Sequence, residues 1–122
     1  MFTKKAITAT VVALAAMMNL GIQQADAAML GGRTVDRVAA HTSDTYTIHL
    51  NRGEIVMVTV KGDGDTDLDL YVRDRFGDIV ESDTDSTDQC VAIFRAPRTG
   101  TFEIQIKNLG RVYNEYELTV VN

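Results

Sequence analysis

Short runs of alternating apolar and polar residues fill the chain from Tyr46 to Val120, with a turn signal roughly every ten residues. Tyr46, Ile48 and Leu50 alternate with polar neighbours, and Asn51-Arg52-Gly53 then turns the chain. Residues 55–60 are apolar on both faces apart from Thr59, which predicts a central strand. Leu68, Leu70 and Val72 face one way, while Asp67, Asp69, Tyr71 and Arg73 face the other. Arg75-Phe76-Gly77-Asp78 reads as a hairpin loop with Gly77 free to take positive φ, residues 79–82 return, and 83–89 form a polar loop. A strand over 91–95 closes at Ala96-Pro97-Arg98-Thr99-Gly100. Phe102, Ile104 and Ile106 alternate with Glu103, Gln105 and Lys107, and Asn108-Leu109-Gly110-Arg111 leads to a last strand carrying Tyr116, Leu118 and Val120. Residues 34–40 fit a strand or a short turn of helix, and nothing after Ala28 keeps a helical period. About seven or eight short strands predict an all-β fold, an antiparallel β-sandwich.

Residues 1–27 read as a signal peptide. Met1-Phe2-Thr3-Lys4-Lys5 is basic, residues 6–20 are apolar, and Ala25-Asp26-Ala27 offers small residues for cleavage. The apolar run is shorter than the ~20 residues of a membrane span, although an uncleaved N-terminal anchor is the alternative. The first thirty residues are therefore expected outside the fold, and the protein in the periplasm or beyond the cell. Residues 28–122 form a single domain of about 95 residues, enough for one core. Loss of Lys4, Lys5 and Asp26 takes the formal charge from −5 to −6. Such a chain disfavours nucleic acid and anionic membrane as partners and suits cations or basic surfaces. Cys90 is the only cysteine, which excludes an internal disulfide and leaves stability to the core. It shares a face with Ala92 and Phe94 and reads as a small apolar side chain, the other reading being an intermolecular disulfide.

The chemistry concentrates in Gly62-Asp63-Gly64-Asp65-Thr66-Asp67-Leu68-Asp69-Leu70-Tyr71-Val72, where aspartates occupy every second position before a strand. Asp63, Asp65, Asp67 and Asp69 mimic the alternate ligands of a helix–loop–helix calcium loop, but Leu68 stands where that loop needs glycine and Asp74 where it needs glutamate. A different calcium geometry stays open. Asp63, Asp65 and Asp67 precede one strand, Asp83, Asp85 and Asp88 follow its hairpin partner, and the two clusters should meet at one end of the sandwich. The alternative is that these aspartates cap their own turns through backbone amides. Asp69, on the outer face, is expected to pair with a neighbouring strand or a loop amide.

Catalytic constellations are weak. His41 lies too close to Ser43 in sequence for a triad, and His49 points outward between Ile48 and Leu50. No phosphate cradle or paired-histidine zinc spacing occurs, so the chain reads as non-catalytic. Tyr71, on an outer face, is the candidate contact for a ligand.

Taken in order, these segments resemble the bacterial pre-peptidase C-terminal domain. The resemblance rests on Leu50-Asn51-Arg52-Gly53-Glu54, the aspartate run through Val72, Phe76-Gly77-Asp78, Phe94-Arg95-Ala96-Pro97 and Thr99-Gly100-Thr101-Phe102. Asn108, Gly110 and Tyr113-Asn114-Glu115-Tyr116-Glu117-Leu118 complete it, so it covers residues 45–121. It implies a jelly-roll-like β-sandwich without catalytic activity, usually appended to secreted enzymes. Adhesion to insoluble polymers such as collagen or polysaccharide, or help in secretion and maturation, would be its role, with calcium bound in some relatives. Here a signal peptide stands where the protease domain is expected. The module would then bind an extracellular polymer or protein on its own, or act in trans as chaperone or inhibitor of a secreted protease.

Overall fold

Alternation sorts the side chains of each strand onto two faces, and the inward faces of two antiparallel sheets meet in one core. The computed structural model describes residues 2–5 and 32–122. Its strands are β1 (Phe2–Lys5), β2 (Gly32–Val38), β3 (Ser43–Leu50), β4 (Ile55–Gly62), β5 (Leu68–Arg73), β6 (Ile79–Asp83), β7 (Gln89–Arg95), β8 (Gly100–Asn108) and β9 (Asn114–Val121). One sheet runs β1-β3-β8-β5-β6 and the other β2-β9-β4-β7. The predicted all-β sandwich is present. Residues left open between strand and helical turn become β2, because β9 supplies a full ladder from Asn114↔Val38 to Val120↔Gly32.

Among the described connections only β5 to β6 is a hairpin, and the others pass from one sheet to the other. Loops therefore gather at two ends. Backbone bonds tie the 39–42, 63–67, 84–88 and 109–113 loops together at one end, through Asn108 N to Thr42 O, Gly62 N to Asp88 O and Leu109 N to Asp67 O. At the other end, Gly53 N reaches Ala96 O and Arg98 reaches Asp74.

Tyr46, Ile48, Leu50, Leu68, Leu70, Val72, Phe102, Ile104 and Ile106 from the first sheet pack against Val56, Val58, Val60, Cys90, Ala92, Phe94, Tyr116, Leu118 and Val120 from the second. A pair of tyrosines links the two sheets through this core. The Tyr46 and Tyr116 hydroxyls lie 2.6 Å apart, and Tyr116 also donates to Asp44 Oδ2 at 2.6 Å. Burial pushes both phenols up, which keeps them neutral donors. Strand β4 is central, as its sequence predicts, yet only one of its apolar faces is covered. Ile55 and Met57 look outward.

Two details differ from, or sharpen, the expectations. Phe2–Lys5 pairs with β3, Phe2 opposite Ile48 and Lys5 opposite Thr45, although the first thirty residues were expected outside the fold. The reason lies in β3, whose free edge offers unpaired N–H and C=O groups to any extended segment. Residues 6–27 of the predicted signal peptide lie outside the described residues. Cys90 is buried, its thiol donates to Leu68 O at 3.2 Å, and burial followed by the charge of nearby aspartates pushes it up to about 12. It is the small core residue, not a surface thiol. A disulfide-exchange reagent should leave the folded protein unlabelled and titrate one thiol per chain after denaturation; rapid native labelling would place Cys90 outside the core.

Candidate functional site

Gly62 and the aspartates after it form the turn from β4 into β5, and residues 84–88 connect β6 to β7. Leu70 pairs with Asp83, so the two acidic segments come to the same end, as the hairpin geometry predicts. Leu68 N donates to Thr87 O at 3.2 Å and Gly62 N to Asp88 O at 2.9 Å, stitching one loop to the other. The close approach needs glycine, since a Cβ on Gly62 would come within 2.2 Å of Asp88 Oδ2.

The six aspartates singled out by sequence do not act as one group. Asp88 is buried, and its Oδ2 accepts from Gly64 N at 2.6 Å and from Asn114 Nδ2 at 2.9 Å, while Oδ1 accepts from Gln89 Nε2. Burial alone would raise its carboxyl, but these donors hold it below the usual range. Asp63 Oδ1 accepts from Asp65 N and its Oδ2 from Glu115 N, both at 3.0 Å. Asp83 accepts from Val91 N at 2.9 Å, and Asp85 Oδ1 accepts both the amide and the hydroxyl of Thr87 at 2.9 Å. Asp65 is exposed. Four of the six thus cap backbone amides, and among the described residues no three His, Cys, Asp or Glu side chains form a group able to hold a metal.

Asp67 and Asp69 break the pattern. Asp67 Oδ1 and Asp69 Oδ1 are both buried without a hydrogen-bond partner. Asp69 reaches no loop amide, the second of the two partners expected for it, and its Oδ2 takes a long bond, 3.4 Å, from the Tyr71 hydroxyl. Lys107 stands opposite it on β8. Burial, then the Asp67 charge, raises the Asp69 carboxyl. Tyr71 itself is half-buried, with its hydroxyl turned to Asp69 and the Arg73 guanidinium 5.3 Å from its ring. Asp74 lies at the far end of β5, where it accepts from Phe76 N, Asp78 N and Arg98 Nη1. That distance along the strand removes any helix–loop–helix reading.

Sequence reasoning missed the organiser of this end, Asn114. Fully buried at the start of β9, it accepts from Asp63 N at 3.2 Å and donates to Asp88 Oδ2 and to Thr66 Oγ1. Asn108 does the same for the last loop, donating to Val38 O and Val112 O and accepting from Gly110 N. The available signal was an asparagine at each edge of a Gly-containing turn, between two alternating strands.

Two antiparallel sheets with side-chain-braced loops define a jelly-roll-like β-sandwich. The chain belongs to the bacterial pre-peptidase C-terminal domain family, whose model matches residues 42–108. That span ends before the closing segment 113–118 included in the sequence resemblance. A search of curated proteins finds no match. Among solved structures, the pre-peptidase C-terminal domain of a Bacillus anthracis collagenase aligns with TM-score 0.59 and 14% identity, covering 72% of this chain and 88% of its own. PliG of Aeromonas hydrophila, a periplasmic inhibitor of g-type lysozyme, aligns with TM-score 0.59 and 18% identity over 82% of this chain and 91% of its own. The Yersinia pseudotuberculosis-derived mitogen aligns with TM-score 0.54 and 12% identity over 75% of this chain and 84% of its own. At such identities the shared property is the fold. Family and fold fit a non-catalytic accessory or binding module and are compatible with a periplasmic or extracellular location.

Proposed function

We propose that this chain is an exported, non-catalytic module that binds an extracellular polymer or protein through the outer face of its four-stranded sheet. One observation carries the reading. Met57 pairs with Val121 on one side and Ile93 on the other, so three apolar side chains line up across β9, β4 and β7 on the solvent face. Ile55 and Val91 extend the strip, and Ile93 is 55% exposed. Lys61, Gln89 and Arg95 border it, and the charged pairs Arg33–Glu117 and Arg37–Glu115 occupy the same face towards β2. An apolar strip with a polar rim marks an interaction surface. Its side chains are aliphatic, which suits a protein chain better than the aromatic stacking used for sugars.

The lysozyme-inhibiting role of the Aeromonas structural neighbour supports a second reading, a soluble partner of a secreted enzyme acting in trans as chaperone or inhibitor. Pull-down on insoluble collagen, chitin and cellulose, beside co-purification with exported proteases, separates the two. Ile93→Glu should weaken whichever interaction is found at least about tenfold, since it places an unpaired charge where apolar surface is buried. Its folding stability should stay within about 0.5 kcal/mol of the parent. Binding that survives Ile93→Glu but is lost with Tyr71→Ala would move the contact to the opposite sheet.

A further inference from the structure

Each sheet of an open sandwich ends in two strands whose outer backbone groups invite further pairing unless something guards them. Here β2 and β7 end one sheet, and β1 and β6 the other. Three of these ends carry their own guard. β2 bears Arg33, Asp36 and Arg37, and its arginines pair with Glu117 and Glu115 of β9. On β7 the amide of Val91 is taken by Asp83 Oδ2 at 2.9 Å. β6 is five residues long, carries Glu81 and Asp83, and slips register against β5 at Val72/Arg73. Charge, a capped amide and a bulge are devices that stop a sheet from growing.

The fourth end is different, because β1 falls within residues 1–27, which read as a signal peptide. Loss of that segment makes β3 the end of its sheet. β3 is eight residues long and regular, its ladder with β8 running unbroken from Ser43↔Lys107 to Leu50↔Gly100. Asn108 N donates to Thr42 O, which continues that ladder. The even-numbered residues therefore bond β8, and the odd-numbered Thr45, Thr47 and His49 aim their N–H and C=O at the other side. The odd row is Ser43, Thr45, Thr47 and His49, with no Lys, Arg, Asp, Glu or Pro in it. Nothing in that row refuses a further strand, and Phe2–Lys5 is already paired there, Phe2 opposite Ile48.

We propose that, once residues 1–27 are removed, the β3 edge pairs with the β3 edge of a second copy about a twofold axis, joining the β3-β8-β5-β6 sheets of two molecules into one. The strand suits itself. Centred on Thr47, the pairing sets Thr47 opposite Thr47, Thr45 opposite His49 and Tyr46 opposite Ile48. No like charges meet, and an aromatic residue faces a β-branched one. β1 instead brings a lysine, Lys4, into register with Tyr46. Directly opposed residues share a face, so the two cores lie on the same side of the joined sheet. Both aliphatic strips then point the same way, and a surface that one copy holds weakly is held by two. The inference rests on the export reading above and not on what the strip binds.

Protein exported by cells that express the full chain tests both readings at once. Its intact mass reports whether residues 1–27 are gone, and sedimentation velocity reports its state. The cleaved chain should sediment as a dimer at about 100 μM and dissociate on dilution. Thr47→Lys and Thr47→Glu each set like charges opposite one another and should weaken the dimer at least about tenfold; an equimolar mixture of the two should dimerise again. Amide exchange on the unmodified protein needs no variant. Thr45, Thr47 and His49 should exchange at least about tenfold more slowly in the dimer than at dilutions where it dissociates. A cleaved chain that stays monomeric at about 100 μM would overturn the pairing and leave the export reading standing. Retention of residues 1–27 would remove the signal-peptide reading and the pairing with it, since β1 then keeps the edge. A dimer indifferent to both charges, or one whose three edge amides exchange as in the monomer, would sink the proposal by placing the contact elsewhere.

Discussion

Asn114→Ala should destabilise the domain by about 3 kcal/mol and lower its melting temperature by roughly 12–24 °C. The side chain is fully buried and serves three loop positions at once, Asp63 N, Thr66 Oγ1 and Asp88 Oδ2. Truncation leaves the buried Asp88 carboxylate with Gly64 N and Gln89 alone, and an underpaired buried charge is what makes such losses large. The effect has a pH signature. Asp88 titrates below its unfolded value, so its contribution is present above the unfolded carboxylate pKa and is lost as pH falls through the folded one. The gap between parent and variant should therefore narrow in acid. Denaturant unfolding at neutral and acidic pH measures both quantities, and a cost below about 1 kcal/mol at neutral pH would remove Asn114 as the brace of this end.

Phe102→Ala should cost about 4 kcal/mol. Phe102 is buried on β8, which lies between β3 and β5, and its ring meets Phe94 of the opposite sheet at 6.1 Å between centroids in a tilted contact. With Cys90 as the single cysteine, no covalent link offsets the loss. Small domains hold only about 5–15 kcal/mol in total, so this one side chain is a large share of what keeps the sandwich folded. Urea unfolding should show a lower midpoint at unchanged slope. Phe102→Leu, which keeps much of the volume, should lose less than half as much.

Much of this architecture is legible before folding. The inward residues of β3, β5, β8 and β9 follow from period-two alternation, because a strand cannot bury one neighbour without turning the next outward. The meeting of the acidic segments was legible too, since the ends of a hairpin must lie together. Alternation was a poorer guide to β4. Its second apolar face reads like a covered strand, yet it is the exposed strip, because nothing in a single strand says whether another layer will lie over it. The aspartates were the least legible. Asp63, Asp67 and Asp88 are the same residue type in similar polar turns, and their roles diverge only through partners far away in sequence.

By itself the sequence determined an all-β chain, the inner face of most of its strands, an acidic end and its family. Those properties depend on side-chain period and on turn chemistry, which are local. Tertiary structure decided that β9 lies beside β4, which brings Asn114 to Asp63 and Asp88 and sets Val121 beside Met57. It also decided that Asp67 and Asp69 would be covered without a donor. The physical reason is that hydrogen-bond satisfaction and burial belong to pairs of segments, and the pairing of sheets joined by crossovers is not encoded in the alternation of any one strand.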